Sequence, residues 1–163
     1  MLRYPRLIGI LAIGLALTAA GCDDDDDDQL LIDFNERFSA VLKGQNVVPP
    51  VDTDATGFAA FLVEDATPNA VNFRVDVANL DEIIEVHIHE GVAGEEGPTR
   101  VVLFSADPPT GLVNGTLAEG TFTNADVDGI SLAQLLALMR TGAAYVDIVT
   151  EDQPDGEIRG QIQ

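Results

Sequence analysis

The amino-acid sequence predicts an all-β domain, an antiparallel β-sandwich or barrel of about eight strands with one short helix. From about residue 37 onward, apolar and polar residues alternate with period two, as they do in half-buried strands. Glycine and proline pairs separate the alternating segments. One stretch alone has its apolar residues at helical spacing. These three observations together favour an all-β fold.

Eight segments have the composition or alternation of strands. They are RFSAVLK (37–43), the apolar run 58–63, AVNFRVDVANL (70–80), EVHIHE (85–90), TRVVLF (99–104), GTLAEGTFT (115–123), AAYVDIVT (143–150) and GEIRGQIQ (156–163). Turns are expected at the pairs Pro49-Pro50, Pro108-Pro109, Asn114-Gly115 and Asp155-Gly156. Short strands at this spacing are typical of immunoglobulin-like or superoxide-dismutase-like domains.

The exception is GISLAQLLALMRTG, residues 129–142. Its helical spacing is carried by Leu132, Leu135, Leu136 and Met139. Ser131 is suited to cap the start of a helix and Gly142 to end it. We therefore expect one helix near residues 131–141, covering one end of the core.

The first 21 residues have the pattern of a secretory signal peptide. Two arginines precede an apolar run over residues 7–20, which is shorter than the roughly 20 residues of a membrane span. The following LTAAGC resembles the bacterial lipobox, in which a lipid is attached to the cysteine and the chain is cut before it. Ala19 stands where leucine is most frequent. Cys22 is the sole cysteine, so acylation would explain an unpaired thiol in an exported protein.

Residues 22–36 are expected to form the lipidated cysteine and an acidic linker, ahead of one domain over residues 37–163. The linker contains six consecutive aspartates, residues 23–28, whose mutual repulsion favours an extended tether. The formal net charge of −20 argues against nucleic acid as a partner. The sequence thus predicts an exported lipoprotein of the bacterial cell envelope, in contact with the membrane through its N-terminal lipid, with an unidentified protein or envelope partner.

Three stretches in order resemble the chordin-type CHRD domain. They are FSAVLKGQNVVPPVDTDATGFAAF (38–61), VHIHEGVAGEEGP (86–98) and AAYVDIVTEDQPDGEIRGQIQ (143–163). The residues that match the family's motifs are Asn46, 48–51, Thr53, Ala55 and Gly57 in the first stretch, His87, His89, Gly91, Ala93, Gly94, Gly97 and Pro98 in the second, and Tyr145, Val146, Thr150, Pro154 and 156–161 in the third. The resemblance implies a β-rich extracellular module without an established catalytic role. One position departs from it, because Val149 replaces the histidine that usually precedes the threonine.

His87 and His89 are the only histidines, and alternation places both on the same strand face as Glu85. A His-x-His pair of this kind could share copper or zinc with carboxylates such as Glu85 or Asp147, as in superoxide dismutases. Alternatively, the two rings form hydrogen bonds that hold the following glycine loop, and no cofactor is bound. The sequence favours this structural interpretation, since no third histidine and no second cysteine is available.

The glycine loop and the closing strand are expected to have a structural role. Gly91, Gly94 and Gly97 allow backbone conformations closed to other residues. Arg159 is one of few cations among many acids, so it is expected to pair with Glu85 or Asp147. No catalytic elbow or triad motif accompanies the histidines. The expected function is a non-enzymatic, lipid-anchored binding or structural module, and the alternative is a copper or zinc protein, or a superoxide-dismutase-like redox enzyme, that uses His87 and His89.

Overall fold

The computed structural model describes residues 36–63 and 69–163. The predicted signal peptide, Cys22 and the aspartate run lie outside the described residues. In the described part, eight strands and one α-helix follow each other along the chain. Their bounds are β1 (Glu36–Lys43), β2 (Thr56–Val63), β3 (Ala70–Leu80), β4 (Ile83–Glu90), β5 (Thr99–Ser105), β6 (Val113–Thr123), α1 (Leu132–Arg140), β7 (Ala144–Thr150) and β8 (Ile158–Gln161), with short 3₁₀ turns at Gly44–Asn46 and Asn124–Asp126.

All eight strands belong to one sheet in the order β5-β4-β7-β8-β1-β2-β3-β6. Every neighbouring pair is antiparallel. The sheet curls into a nearly closed barrel. The all-β prediction with about eight strands and one helix is therefore confirmed in its barrel form. The two-sheet sandwich is not what forms, because continuous strand pairing joins β5 to β6 through a single sheet.

The barrel interior is the hydrophobic core, and it is built by the period-two alternation. In β4, Val86 and Ile88 are fully buried, whereas Glu85, His87 and His89, which alternate with them, face outward. The same alternation in β7 and β8 buries Val146, Ile148 and Ile158. Burying side chains of this size stabilises the fold by about 1.5–3 kcal/mol each. The register is fixed in consequence, because a shift by one residue would turn the apolar set outward.

The helix α1 begins with a capping box at Ser131. The Ser131 hydroxyl accepts a hydrogen bond from the backbone N–H of Gln134 (3.3 Å), and the Gln134 side chain accepts one from the backbone N–H of Ser131 (2.9 Å). The apolar face of the helix is buried in the core through Leu132, Leu135, Leu136 and Met139. This confirms the predicted helix.

The edge strands β5 and β6 are not paired with each other. The chain between β6 and α1 lies against β5, where Asp128 and Arg100 exchange two hydrogen bonds: Asp128 N to Arg100 O (2.8 Å) and Arg100 Nη1 to Asp128 O (3.1 Å).

The turn predicted at Asn114-Gly115 is wrong, because both residues lie inside β6, next to an irregularity in its pairing with β3. Within the described ranges, no helix is long and apolar enough to cross a membrane.

Candidate functional site

The outer face of β4, β7 and β8 gathers the polar side chains of the candidate site. The register pairs His87 with Asp147 and His89 with Tyr145 across β4 and β7. It pairs Asp147 with Arg159 across β7 and β8. Since residues two apart on a strand share a face, all five side chains lie on the side opposite the core. Antiparallel pairing thus brings His89 and Asp147, which are 58 positions apart along the chain, into contact.

One oxygen, Asp147 Oδ1, lies beside both histidines. It is 3.1 Å from His89 Nε2 and 3.5 Å from His87 Nδ1. The two imidazole rings have centroids 5.4 Å apart and meet edge to face. One ligand atom from each of the three residues lies within 4.8 Å of the others. The side chains are 12–13% exposed, so the cluster is close to the surface but nearly covered.

Each histidine contacts a second acceptor through its remaining nitrogen. His89 Nδ1 is 2.9 Å from the carbonyl oxygen of Gly97, and His87 Nε2 is 3.1 Å from Glu85 Oε2. A carbonyl only accepts hydrogen bonds, so Nδ1 of His89 carries the hydrogen. The other nitrogen of this ring, Nε2, faces Asp147 Oδ1 at 3.1 Å, so both nitrogens of His89 have an oxygen atom beside them.

The carboxylates alter the titration of the cluster. The hydrogen bond to Asp147 raises the pKa of His87; burial opposes this, and the negative charges of Asp147 and Glu85 add to it. Burial alone would raise the pKa of Asp147, but hydrogen bonds from His87 and His89 outweigh it, so this pKa lies below its ordinary value. The ionised carboxylate and the charged imidazole thus stabilise each other.

In metal-free protein, we expect the contribution of His87 to fold stability to decrease as pH rises. The pKa of His87 in the folded state lies above its unfolded value of about 6.5. Its stabilisation is therefore complete below pH about 6.5 and is lost as pH rises through the higher, folded-state pKa. Chemical unfolding in chelator between pH 5.5 and 8.5 should give a smaller decrease for His87→Gln than for the wild type. Equal slopes for the two proteins would contradict the assignment.

Arg159 is bound by the glycine loop and a tyrosine ring. Its Nη2 donates to the carbonyl oxygens of Glu95 (2.6 Å) and Val92 (3.2 Å), and its guanidinium carbon lies 3.4 Å from the centroid of the Tyr145 ring. The Tyr145 ring also stacks parallel on His89, with centroids 4.9 Å apart. The predicted pairing of Arg159 with Glu85 or Asp147 is therefore wrong. The partners of Arg159 are instead two backbone carbonyl oxygens of the loop and the Tyr145 ring, which lies against the flat face of the guanidinium.

The loop 91–98 folds back over this outer face. Gln161 Nε2 donates to Gly91 O (2.8 Å), and Gly97 N donates to the Tyr145 hydroxyl (3.3 Å). Gly94 has φ +85°, a conformation that favours glycine. Gly97 has no room for a side chain, because a Cβ would overlap the carbonyl oxygen of Glu90. These contacts place the Gly97 carbonyl against His89.

The loop that follows β1 and the turn before β8 reach the same region. Asn46 Nδ2 donates to Arg159 O (3.0 Å), and the hydroxyls of Thr53 and Thr150 each donate to the Glu157 carboxylate (2.8 Å). Sequence reasoning did not single out Tyr145, Glu157 and Gln161 as site residues. The period-two pattern could have identified two of them, because it places Tyr145 on the same strand face as Asp147 and Gln161 on the same face as Arg159.

The carboxylates proposed from sequence as metal ligands have separate positions. Asp147 lies between the histidines, as described above. Glu85 lies on the other side of His87 and contacts Nε2, the ring nitrogen that is not beside Asp147. Val149, which replaces the family's usual histidine, pairs with Glu85 across β4 and β7. The described cluster therefore has two histidines and one aspartate, with Glu85 orienting one ring.

The sequence profile of the CHRD domain matches residues 38–162, which include all but the ends of the barrel just described. The chain belongs to the CHRD domain family. Chordin from Xenopus laevis is 27% identical to it over 135 residues. That match covers 78% of this chain but 13% of chordin, so this chain corresponds to a small part of chordin's length. No solved structure matches the chain significantly.

The fold brings together the three CHRD motifs, which are distant in sequence. The loop after β1 supplies Asn46 and Thr53, the β4–β5 loop supplies Gly97, and the last strand supplies Arg159. All three motifs meet on the outer face of β4, β7 and β8. Membership of the CHRD family favours a non-enzymatic binding or structural role.

Proposed function

We propose that this protein is a non-enzymatic CHRD module, anchored to the bacterial cell envelope by a lipid on Cys22, that presents its domain to a protein or envelope partner. The proposal of a non-enzymatic role rests on one observation: the polar side chains of the outer face form hydrogen bonds within the protein. Arg159 and Gln161 direct their donors at loop carbonyls, and Glu157 accepts from two threonines. These groups hold loops in a fixed shape, as a contact surface requires.

The anchor is supported by the residues around Cys22. A charged start, an apolar run and the LTAAGC sequence precede or include the chain's only cysteine. The six aspartates that follow would form an extended tether of roughly 20 Å, at about 3.3–3.6 Å per residue. Such a tether would separate the domain from the lipid headgroups. The net charge of −20 argues for a partner other than nucleic acid.

Cys22→Ala should move the protein from the detergent phase to the aqueous phase in a detergent-partitioning experiment. The reason is that acyl chains bind membranes by about 0.8 kcal/mol per buried CH₂, and the variant has no thiol to accept them. Ala19→Leu is the matched control, since it restores the residue usual at that position and should remain in the detergent phase. Intact-mass measurement of the mature wild type should show an acylated Cys22. An unmodified cysteine would refute the anchor and leave the CHRD assignment intact.

A further inference from the structure

We infer that His87, His89 and Asp147 bind one divalent transition-metal ion, Zn²⁺ or Cu²⁺, on the outer face of the CHRD barrel. This goes beyond the proposed function and does not depend on the lipid anchor. The inference starts from geometry. Ligands of a tetrahedral ion lie about 3.3 Å apart, because each is about 2.0–2.2 Å from the metal. The observed distances from Asp147 Oδ1 to His89 Nε2 and His87 Nδ1 are 3.1 and 3.5 Å.

The contacts behind the ligands have the arrangement found around bound metals. A histidine that ligates a metal donates its other ring N–H to a carboxylate or a backbone carbonyl, which fixes the ring orientation. His87 has Glu85 in this position, and His89 has the carbonyl oxygen of Gly97. Gly97 is itself held by Tyr145 and by its close approach to Glu90. Both imidazoles are therefore oriented with one nitrogen toward Asp147 before any ion binds.

The donor set selects the class of ion. Two imidazoles and one carboxylate suit Zn²⁺ and Cu²⁺, whereas Ca²⁺ and Mg²⁺ require mainly oxygen ligands. The carboxylates of Asp147 and Glu85 balance the two positive charges of such an ion. Because the ligand side chains remain 12–13% exposed, a further coordination position is left for water or for a group from a partner. The ion would thus add a rigid, ligand-accepting point to the surface that the loops shape.

The test compares variants that lose one proposed ligand with a variant that loses a carboxylate elsewhere on the surface. The full-length protein is purified in detergent, stripped with chelator, dialysed, and titrated with Zn²⁺ or Cu²⁺ by calorimetry. The wild type should bind about one ion per chain. Asp147→Asn and His89→Gln should each weaken binding by about a hundredfold or more, since changes even behind the ligands cost about 10- to 100-fold. Asp76→Asn, an exposed carboxylate paired with Arg74, is the matched control and should bind like the wild type.

A measurement on the wild type keeps the test independent of variant folding. Electron paramagnetic resonance of protein with one equivalent of Cu²⁺ should show coupling to two imidazole nitrogens. A spectrum with oxygen ligands alone would place the ion on the aspartates 23–28 or other surface carboxylates and would overturn the inference. Equal affinity in the wild type and His89→Gln, with both proteins folded, would overturn it as well. So would the absence of stoichiometric binding of either ion.

Discussion

Gly97→Ala should lower the free energy of unfolding by about 3 kcal/mol, and the melting temperature by roughly 10 °C. The added methyl would overlap the carbonyl oxygen of Glu90, which is backbone and cannot rotate away. The loop 91–98 would therefore have to move from the outer face. That movement would lengthen three hydrogen bonds, from Gly97 N to the Tyr145 hydroxyl, from His89 Nδ1 to Gly97 O, and from Glu90 N to Pro98 O.

Gly111→Ala is the matched control for this substitution. Gly111 lies in the connection between β5 and β6, and nothing lies within 4 Å of the position a Cβ would take. Differential scanning calorimetry should show a change of less than about 0.5 kcal/mol there. If Gly97→Ala were as stable as Gly111→Ala, the close approach of the loop to Glu90 would not exist in solution.

Arg159→Met should destabilise the fold by about 2–4 kcal/mol. Arg159 is 4% exposed, and loss of its guanidinium would leave the carbonyl oxygens of Val92 and Glu95 without a charged donor. Hydrogen bonds to charged groups contribute about 1.5–3 kcal/mol, and a desolvated cation over an aromatic ring adds about 2 kcal/mol. Methionine would recover part of the packing area, so the net effect is smaller than the sum. Denaturant unfolding of the two proteins measures the difference.

The same substitution at Arg74 provides the control. Arg74 forms a two-nitrogen contact with Asp76, but its side chain is 55% exposed. Exposed ion pairs contribute about 0–1 kcal/mol, so Arg74→Met should change little. Similar losses at both positions would show that the loop carbonyls and Tyr145 do not hold Arg159.

The positions of the strands and the helix followed from the sequence because they depend on local periodicity. Alternation in VHIH was sufficient to place Val86 and Ile88 inside and both histidines outside. The capping box and the apolar spacing that predicted the helix are equally local, because Ser131 and Gln134 are three positions apart and the apolar residues recur every three to four positions. The turn prediction at Asn114-Gly115 was wrong because an irregularity in the β3–β6 pairing accommodates Gly115 inside a strand at φ +128°. Local residue preference there was overridden by the strand pairing.

The candidate site depends on contacts between distant residues, and only the tertiary structure decided them. Asp147 and His89 are 58 positions apart, so their contact follows from the register of β4 against β7. Arg159 has backbone carbonyls as partners because the loop 91–98 folds over β8, which brings Glu95, 64 positions earlier in the chain, next to it. Periodicity tells which face a side chain occupies, but it contains no information about which strands become neighbours or where a loop ends. The sequence by itself therefore determined the barrel's inner and outer faces, and the pairing of the strands determined what meets on the outer one.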